Sequence, residues 1–264
     1  MTYYRVIPLF FLAATLCSHA ALQPDRTRVV FNGNEKASSV KIENKSPGDP
    51  YLAYSWIEDE KGNKTDDYLV ALPPIQRINP SAISQVRIVK QPASAQLPTD
   101  RETLFYYNLR EIPPAPEKAE DAAQLQIAIQ SRIKLFWRPA SLRKKMGDRV
   151  ELQMKATQQG ETLTLQNPTP YFLTIAYLGK NKNGVLPGFQ STMIAPFSST
   201  PVHTSGYSGN HFYLGYMDDY GALRMTHLSC QTICTLWICP YISRHLLSLN
   251  PLLACCRRYS RGER

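Results

Sequence analysis

Residues 124–139 have the sequence QLQIAIQSRIKLFWRP. Its apolar and polar side chains alternate with a period of two, which is typical of a β-strand with one buried face. The apolar positions are Leu125, Ile127, Ile129, Ile133, Leu135 and Trp137. The predicted strand covers residues 124–137 before Pro139 ends it, more than twice the usual strand length of about 5–6 residues. Such a long apolar row has to be covered by other protein.

Two interpretations of this strand stay open. An exposed apolar edge strand is an aggregation hazard, so most proteins shorten it, charge it or cover it. In the first interpretation another chain covers the edge by adding a strand, so that main-chain hydrogen bonds give affinity and alternate side chains fill pockets. In the second, it is an ordinary long strand of a sandwich and its own domain covers it.

The N-terminus has the features of a secretory signal. Arg5 precedes an apolar run of about a dozen residues, and the small residues Ser18 and Ala20 follow. We therefore expect a signal peptide over residues 1–20 and an exported protein. No other stretch is long and apolar enough to span a bilayer, so we expect no stable membrane insertion.

The formal net charge of +9 is unevenly distributed. Arg5 leaves with the signal, and residues 231–264 carry five Arg against one Glu, which leaves +4 for residues 21–230. No run of Lys and Arg interleaved with aromatic residues forms a phosphate-tracking surface. We expect no nucleic-acid partner.

The cysteines after the signal lie close to the C-terminus. Residues 21–229 hold none, so the main body needs no disulfide framework. Cys230 and Cys234 are spaced so that they could close a small disulfide in an oxidising compartment. His227 and His245 do not supply the well-spaced ligand pairs of a zinc site. We expect no metal and no cofactor.

Short strand-like segments separated by turn residues fill residues 26–230. About seven lie on each side of Pro139, which fits two immunoglobulin-like β-sandwich domains in an all-β protein. The first domain covers residues 21–139 and contains the long strand, and the second covers residues 149–230. The linker, residues 140–148, is where proline and basic residues interrupt the alternation.

Residues 231–264 differ in style from the rest. The strand alternation ends, acidic residues almost vanish, and Cys, Leu and Arg accumulate. One interpretation is translation in a wrong frame, which would deprive the second domain of its closing strand. The other is an authentic amphipathic or lipidated tail.

Three motifs, in order, closely resemble the periplasmic pilus (fimbrial) chaperones. They are DRTRVVF (25–31), LPTDRETLFYYNLREIPP (97–114) and IKLFWRP (133–139). The resemblance covers residues 21 to about 230. It implies two immunoglobulin-like domains in a boomerang arrangement and no enzymatic activity. It also implies that the protein stabilises pilus subunits lacking their own last strand by donor-strand complementation, and delivers them to an outer-membrane usher.

The resemblance also assigns roles to individual residues. It implies that Arg28 and Lys134 hold the C-terminal carboxylate of a subunit in the interdomain cleft, as two cations with several donors each can do. The row Leu125, Ile127 and Ile129 is then donated to the groove of the subunit.

The resemblance further implies an interdomain charge network. It consists of Glu102, Arg138 and Asp219, and Asp218 is an equally good partner by residue type. This network would hold the two domains at a fixed angle.

A different class of function also fits two exported sandwiches, namely a secreted immunoglobulin-like adhesin or binding module. That hypothesis leaves the motif context of Arg28 and Lys134 unexplained. An enzyme fits less well, because neither Gly-x-Ser-x-Gly nor His-Glu-x-x-His occurs and residues 21–229 hold no cysteine.

Overall fold

The computed structural model describes residues 20–115, 126–145, 147–204, 206–207 and 209–230, and the backbone of residues 233–237. The described chain consists mainly of β-strands, with three short 3-10 turns at Pro92–Gln96, Ala140–Leu142 and Val150–Gln153. The predicted all-β fold of two immunoglobulin-like domains is confirmed. Nearly all of the predicted signal, residues 1–19, lies outside the described residues.

Domain one is a sandwich of two sheets. Its strands are β1 (Leu22–Pro24), β2 (Arg28–Asn32), β3 (Ala37–Asn44), β4 (Tyr51–Glu58), β5 (Leu69–Leu72), β6 (Ile75–Ile78), β7 (Ile83–Lys90), β8 (Thr103–Ile112) and β9 (Gln130–Arg138). One sheet has the order β1, β3, β7, β5, and the other has the order β2, β9, β8, β4, β6. The pair β2 and β9 is parallel, whereas the other strand pairs of this domain are antiparallel.

The core of domain one forms where the inward faces of the two sheets meet. Strand β2 turns Val29 and Phe31 inward, and the ring of Phe31 stacks on Trp137 of β9 with centroids 5.4 Å apart. Tyr107 is fully buried, and its hydroxyl group shares a 2.9 Å hydrogen bond with Ser55. Burial raises the pKa of Tyr107 to about 12. Because successive side chains of a strand point to opposite faces of the sheet, the residues of β2 and β9 that alternate with this core point outward.

Strand β9 is shorter than the sequence predicts. It begins at Gln130, and residues 126–129 belong to no strand. The antiparallel register pairs Arg110 with Gln130, so three residues further on Pro113 would face Ile127. Pro113 and Pro114 have no N–H to donate and therefore end the β8 ladder. The Glu111 N–H still donates a 2.9 Å bond to the Ile129 carbonyl, and beyond it the Gln126 side chain donates a 3.4 Å bond to the Pro114 carbonyl.

Domain two is built on one continuous sheet that encloses a second core. Its strands are β10 (Lys155–Gln159), β11 (Thr162–Gln166), β12 (Leu173–Asn181), β13 (Gly184–Val185), β14 (Thr192–Ile194), β15 (Ser199–His203), β16 (His211–Met217), β17 (Leu223–Cys230) and β18 (Ile233–Trp237). The order is β13, β12, β16, β17, β18, β10, β11, β15, and β14 also pairs with β12. Leu163 and Leu165 of β11 pack in the same buried cluster as Phe212 and Leu214 of β16.

Strand β18 corrects the expectation that strand structure ends at Cys230. It pairs with β17 on one side and with β10 on the other, so it joins the two halves of domain two. The residues Ile-Cys-Thr-Leu-Trp are mostly good strand formers, which composition-based reasoning about the tail overlooked. Residues 238–264 lie outside the described part of the chain.

Candidate functional site

The site lies where the two domains meet, and its centre is the parallel pair β2 and β9. Arg28 begins β2 and lies directly opposite Lys134 on β9. Both positions alternate with buried residues, Val29 after Arg28 and Leu135 after Lys134. The two cations therefore leave the core on the same side of the sheet. We call Arg28 and Lys134 the cation pair.

The cation pair has no carboxylate partner among the described residues. No ion pair within 4.0 Å joins either side chain to an acid in that part of the chain. Lys134 Nζ donates a 3.3 Å hydrogen bond to Thr174 Oγ1 of domain two. Arg28 Nε is buried without a hydrogen-bond partner. Both side chains keep donor capacity for a ligand.

The surroundings disfavour positive charge at both positions. Burial lowers the pKa of Lys134, and the adjacent charge of Arg28 lowers it further. Burial also lowers the pKa of Arg28, although the negative charges of Asp219, Asp218 and Glu151 oppose this effect. A bound carboxylate would relieve the repulsion between the two cations and occupy their free donors. The arrangement is chemically suited to an anion with two acceptor oxygens.

Four residues after Lys134 on the same face of β9, Arg138 has the opposite environment. Its Nε donates a 2.8 Å bond to Glu102 Oε1, and its two Nη groups donate bonds of 2.7 and 3.0 Å to the carboxylate of Asp219. Glu102 is in domain one and Asp219 in domain two. The structure therefore brings together all three residues of the predicted network in an arrangement that links the domains.

Two further residues belong to this cluster, and the sequence analysis missed both. Lys144 Nζ donates to Glu151 Oε1 at 2.9 Å and to Asp219 Oδ1 at 3.1 Å. We call Glu102, Arg138, Lys144, Glu151 and Asp219 the paired network. Asp218, the alternative partner, instead forms a 2.8 Å ion pair with Arg224. The only sequence signal for Lys144 was its place in a basic linker.

The two acids that contact Arg138 differ in depth. Burial would raise the pKa of Asp219, but the hydrogen bonds and charges of Arg138 and Lys144 outweigh it and the pKa is lowered. Glu102 is more deeply buried, and there burial raises the pKa despite Arg138 and the N–H of Phe172. Glu102 is thus an acid whose negative charge depends on these partners.

An aromatic contact reinforces the junction beside the paired network. Phe136 of β9 stacks on Phe172 of domain two, with ring centroids 5.7 Å apart. The Tyr171 hydroxyl donates a 2.8 Å hydrogen bond to the carbonyl of Leu142, and the Glu102 N–H donates one of 2.9 Å to the Pro170 carbonyl. Sequence reasoning did not identify residues 170–172, whose only signal was an aromatic pair in a loop after proline.

A cleft of about 1030 Å³ opens beside the junction. Arg28, Arg138 and Asp219 line it together with linker residues such as Arg143 and Lys144. Its walls carry charges of both signs, so a bound group would meet donors and acceptors. Lys134 is not among the lining residues, which places the cation pair at the margin of this cleft.

The predicted donor row leads toward the cation pair along β9. Ile127 is 65% exposed and Ile129 is half-buried. Leu125 lies outside the described residues. Strand β2 pairs with β9 only from Lys134 onward, and no other described strand pairs with that edge of residues 130–133. An apolar row and an open strand edge thus end at two unpaired cations.

The remaining predicted features are placed as follows. Cys230 is disulfide-bonded, and the β17–β18 register sets Cys234 opposite it; the bond between these two residues stays a prediction. The described residues hold no group of three or more His, Cys, Asp or Glu suited to a metal ion. Within the same part of the chain, no helix is long and apolar enough to cross a membrane.

Comparison with known proteins identifies the family. The family model described as "Pili and flagellar-assembly chaperone, PapD N-terminal domain" matches residues 21–143. A second model, "Pili assembly chaperone PapD, C-terminal domain", matches residues 149–228. The chain belongs to the pili assembly chaperone family. The resemblance drawn from the three sequence motifs is confirmed, and with it the role of a periplasmic pilus assembly chaperone.

Individual members of the chaperone family are similar over most of the chain. The uncharacterized fimbrial chaperone YbgP of Escherichia coli K12 is 65% identical over 236 residues, covering 89% of this chain and 98% of that protein. The chaperone protein PapD of Escherichia coli is 40% identical over 226 residues, covering 85% and 91%. The crystal structure of the periplasmic chaperone SfaE is 31% identical with a TM-score of 0.61, covering 78% and 98%.

Proposed function

We propose that this chaperone captures pilus subunits by anchoring their C-terminal carboxylate on Arg28 and Lys134 while its own residues 125–129 fill the subunit's groove. The observation that carries the proposal is the cation pair itself. Two half-buried cations lie side by side with free donors and no carboxylate partner among the described residues. A chain terminus is a ligand that supplies the missing anion.

The strand geometry indicates how the subunit would run. Strand β2 is parallel to β9 and begins opposite Lys134. A subunit strand on the open edge of residues 130–133 would therefore meet the first residue of β2 end to end. A carboxylate reaches the cations only if that strand runs parallel to β9, because an antiparallel strand would present its N-terminus there. The cation pair thus favours one strand direction.

Donation of the apolar row follows from the same register. Ile127 is exposed, and the residues that follow β8 opposite it, Pro113 and Pro114, are prolines that cannot extend the ladder. An apolar groove on the subunit would cover this side chain, while main-chain hydrogen bonds to the open edge would supply affinity. Capture by this route requires no catalytic step and no cofactor.

Export and delivery complete the proposal. The leader with Arg5, Ser18 and Ala20 supports export through a cleaved signal to the periplasm. The captured subunit is then handed to an outer-membrane usher for assembly. Family membership supports both steps.

Co-expression in the periplasm tests capture directly. The chain is produced with a panel of fimbrial subunits, and subunits that co-purify are quantified by mass spectrometry. Arg28→Ala and Lys134→Ala should each weaken capture by on the order of 2–5 kcal/mol, since each removes a charge-assisted contact in a partly desolvated site. The matched controls Arg87→Ala and Lys41→Ala change exposed cations of the other sheet and should capture normally.

The apolar row has its own matched pair of variants. Ile127→Asp should block capture, because it places a charge in an apolar groove. Ile83→Asp changes a side chain of the same domain with the same 65% exposure and should have no effect. Full capture by both cation variants and by Ile127→Asp would contradict the proposal.

A further inference from the structure

The turn at residues 218–222 of domain two touches both strands that carry the cation pair. Asp219 forms its two hydrogen bonds with Arg138, which is on β9 with Lys134. At the other end of the turn, Gly221 lies against Thr27, the residue immediately before Arg28 and β2. One short segment therefore contacts domain one at two points, and each point is within four residues of a cation.

Asp218 organises the turn internally. Asp218 Oδ1 accepts hydrogen bonds from the N–H groups of Tyr220 and Ala222, at 3.0 and 2.8 Å. The Asp218 main chain adds two bonds of 3.0 Å, with Gly221 and Ala222. Its Oδ2 accepts the 2.8 Å bond from Arg224. These bonds link the two ends of the turn, Asp219 and Gly221, through the same Asp218.

Only glycine fits at the point of contact. Gly221 has φ +83°, a conformation that side chains with a Cβ rarely adopt. A Cβ added at this position would also overlap Thr27 Oγ1, and it would lie 3.7 Å from the Thr27 Cβ. Threonine is stiff at χ1, so the two domains would have to separate or the Thr27 side chain would have to rotate.

We propose that Gly221 is a positioning residue for subunit capture: its lack of a side chain lets the turn of domain two approach Thr27 closely, and this approach sets domain two and the paired network relative to the cation pair, whose own register β2 and β9 fix. The proposal rests on the carboxylate anchor described above. The same turn also sets the potential at Arg28. Burial lowers the pKa of Arg28, and the charges of Asp219 and Asp218 are the two largest influences that oppose it.

The test uses peptides of the last strand of the subunit that the wild-type chain captures best, made as the free acid and as the C-terminal amide. Gly221→Ala should weaken binding of the free acid about tenfold and leave the amide unchanged. Adding Thr27→Ala removes the overlapped oxygen and should restore the free acid to within about threefold. Thr27→Ala alone should bind both peptides as the wild type does.

Two further variants separate positioning from general strain. Gly160→Ala also places alanine at positive φ in domain two, +57°, but no heavy atom lies within 4 Å of the new Cβ, so binding should not change. Thr27→Ile crowds the same contact from domain one without altering the Gly221 backbone and should reproduce the selective loss, which keeps the test valid if Gly221→Ala fails to fold.

The outcomes are distinguishable. A wild-type preference for the free acid that Gly221→Ala and Thr27→Ile both retain would overturn the positioning role, and so would failure of Thr27→Ala to rescue Gly221→Ala. Equal binding of acid and amide by the wild-type chain would overturn the anchor itself, and the positioning role with it.

Discussion

Lys134 and Arg138 occupy the same face of one strand, four residues apart, yet their environments are opposite. Arg138 is enclosed by two carboxylates, Glu102 and Asp219. Within the described part of the chain, the Lys134 side chain has a cation as its cross-strand neighbour and only the Thr174 hydroxyl group as a hydrogen-bond partner. At this junction, ion pairs within the chain link the two domains, and we propose that the cation pair is left for the carboxylate of a captured subunit.

Removing Arg138 should have the largest effect on the stability of the protein. Arg138→Met should lower the free energy of unfolding by about 3–5 kcal/mol, because it leaves the buried Glu102 without its counter-charge. The side chains of Arg138 and Glu102 are only 5% and 2% exposed. Chemical denaturation of the purified protein measures the change.

The matched control for Arg138 is on the same strand. Arg132 pairs with Glu58 at 2.8 Å but is 41% exposed, so Arg132→Met should cost about 1 kcal/mol or less. Equal losses of unfolding free energy for the two variants would show that the paired network contributes no more to stability than a surface ion pair. That result would contradict a stabilising role for the paired network.

A second prediction converts the unpaired site into a paired one. Thr174 Oγ1 lies 3.3 Å from Lys134 Nζ, so Thr174→Asp should place a carboxylate beside the cation pair. The new acid competes with the subunit terminus, and capture should weaken by about 1.5–3 kcal/mol, the range for hydrogen bonds to charged groups. Stability should not fall.

Thr174→Asn is the control for this conversion, because it has nearly the same shape and no charge. It should capture subunits almost as the wild type does. If the Asp and Asn variants behave alike in co-purification, a filled space rather than a neutralised charge would explain the loss.

Acidification should weaken the paired network in a defined direction. The pKa of Asp219 is lowered below its ordinary value of 3.8. A carboxyl group with a lowered folded-state pKa stabilises the fold above its unfolded value and loses that contribution as the pH falls through the folded value. Asp219→Asn should therefore be less stable than the wild type by about 1–3 kcal/mol at neutral pH.

The gap between these two proteins should shrink as the pH falls below 3.8. Unfolding free energies measured in parallel across this range test the sign, because other acids titrate equally in both proteins. A gap that stays constant with pH would mean that Asp219 does not stabilise the junction through its charge.

Much of the fold and of the candidate site could be predicted from the sequence. Period-two alternation predicts the strands of both sandwiches, and the resemblance of the motifs around Arg28, Glu102, Lys134 and Arg138 to the pilus chaperones implies which charges meet. The predicted start of β9 was wrong, because the start depends on which residues at the end of β8 face it. Pro113, the residue after β8, ends the hydrogen-bond ladder between β8 and β9. The pattern within residues 124–137 contains no information about Pro113.

Other features depend on tertiary placement in the same way. β18 was missed because the prediction for the tail relied on its overall composition. Five residues that are mostly good strand formers are enough for a strand when a partner strand pairs with them on each side. Lys144 belongs to the basic linker and Glu151 to a strand-like segment of domain two, and only the fold brings Lys144 to Glu151 and Asp219. Whether an Arg or Lys is satisfied is a property of its neighbours in space and cannot be read from its neighbours in sequence.

The most direct test of the central claim is the affinity difference between the free-acid and amide forms of the subunit peptide, measured by calorimetry with the wild-type chain and with the double variant Arg28→Met/Lys134→Met. The wild type should prefer the free acid by on the order of 2–5 kcal/mol, and the double variant should bind both forms alike while remaining as stable as the wild type. Equal binding of the two peptides by the wild type, or a preference that survives the double substitution, would contradict the account.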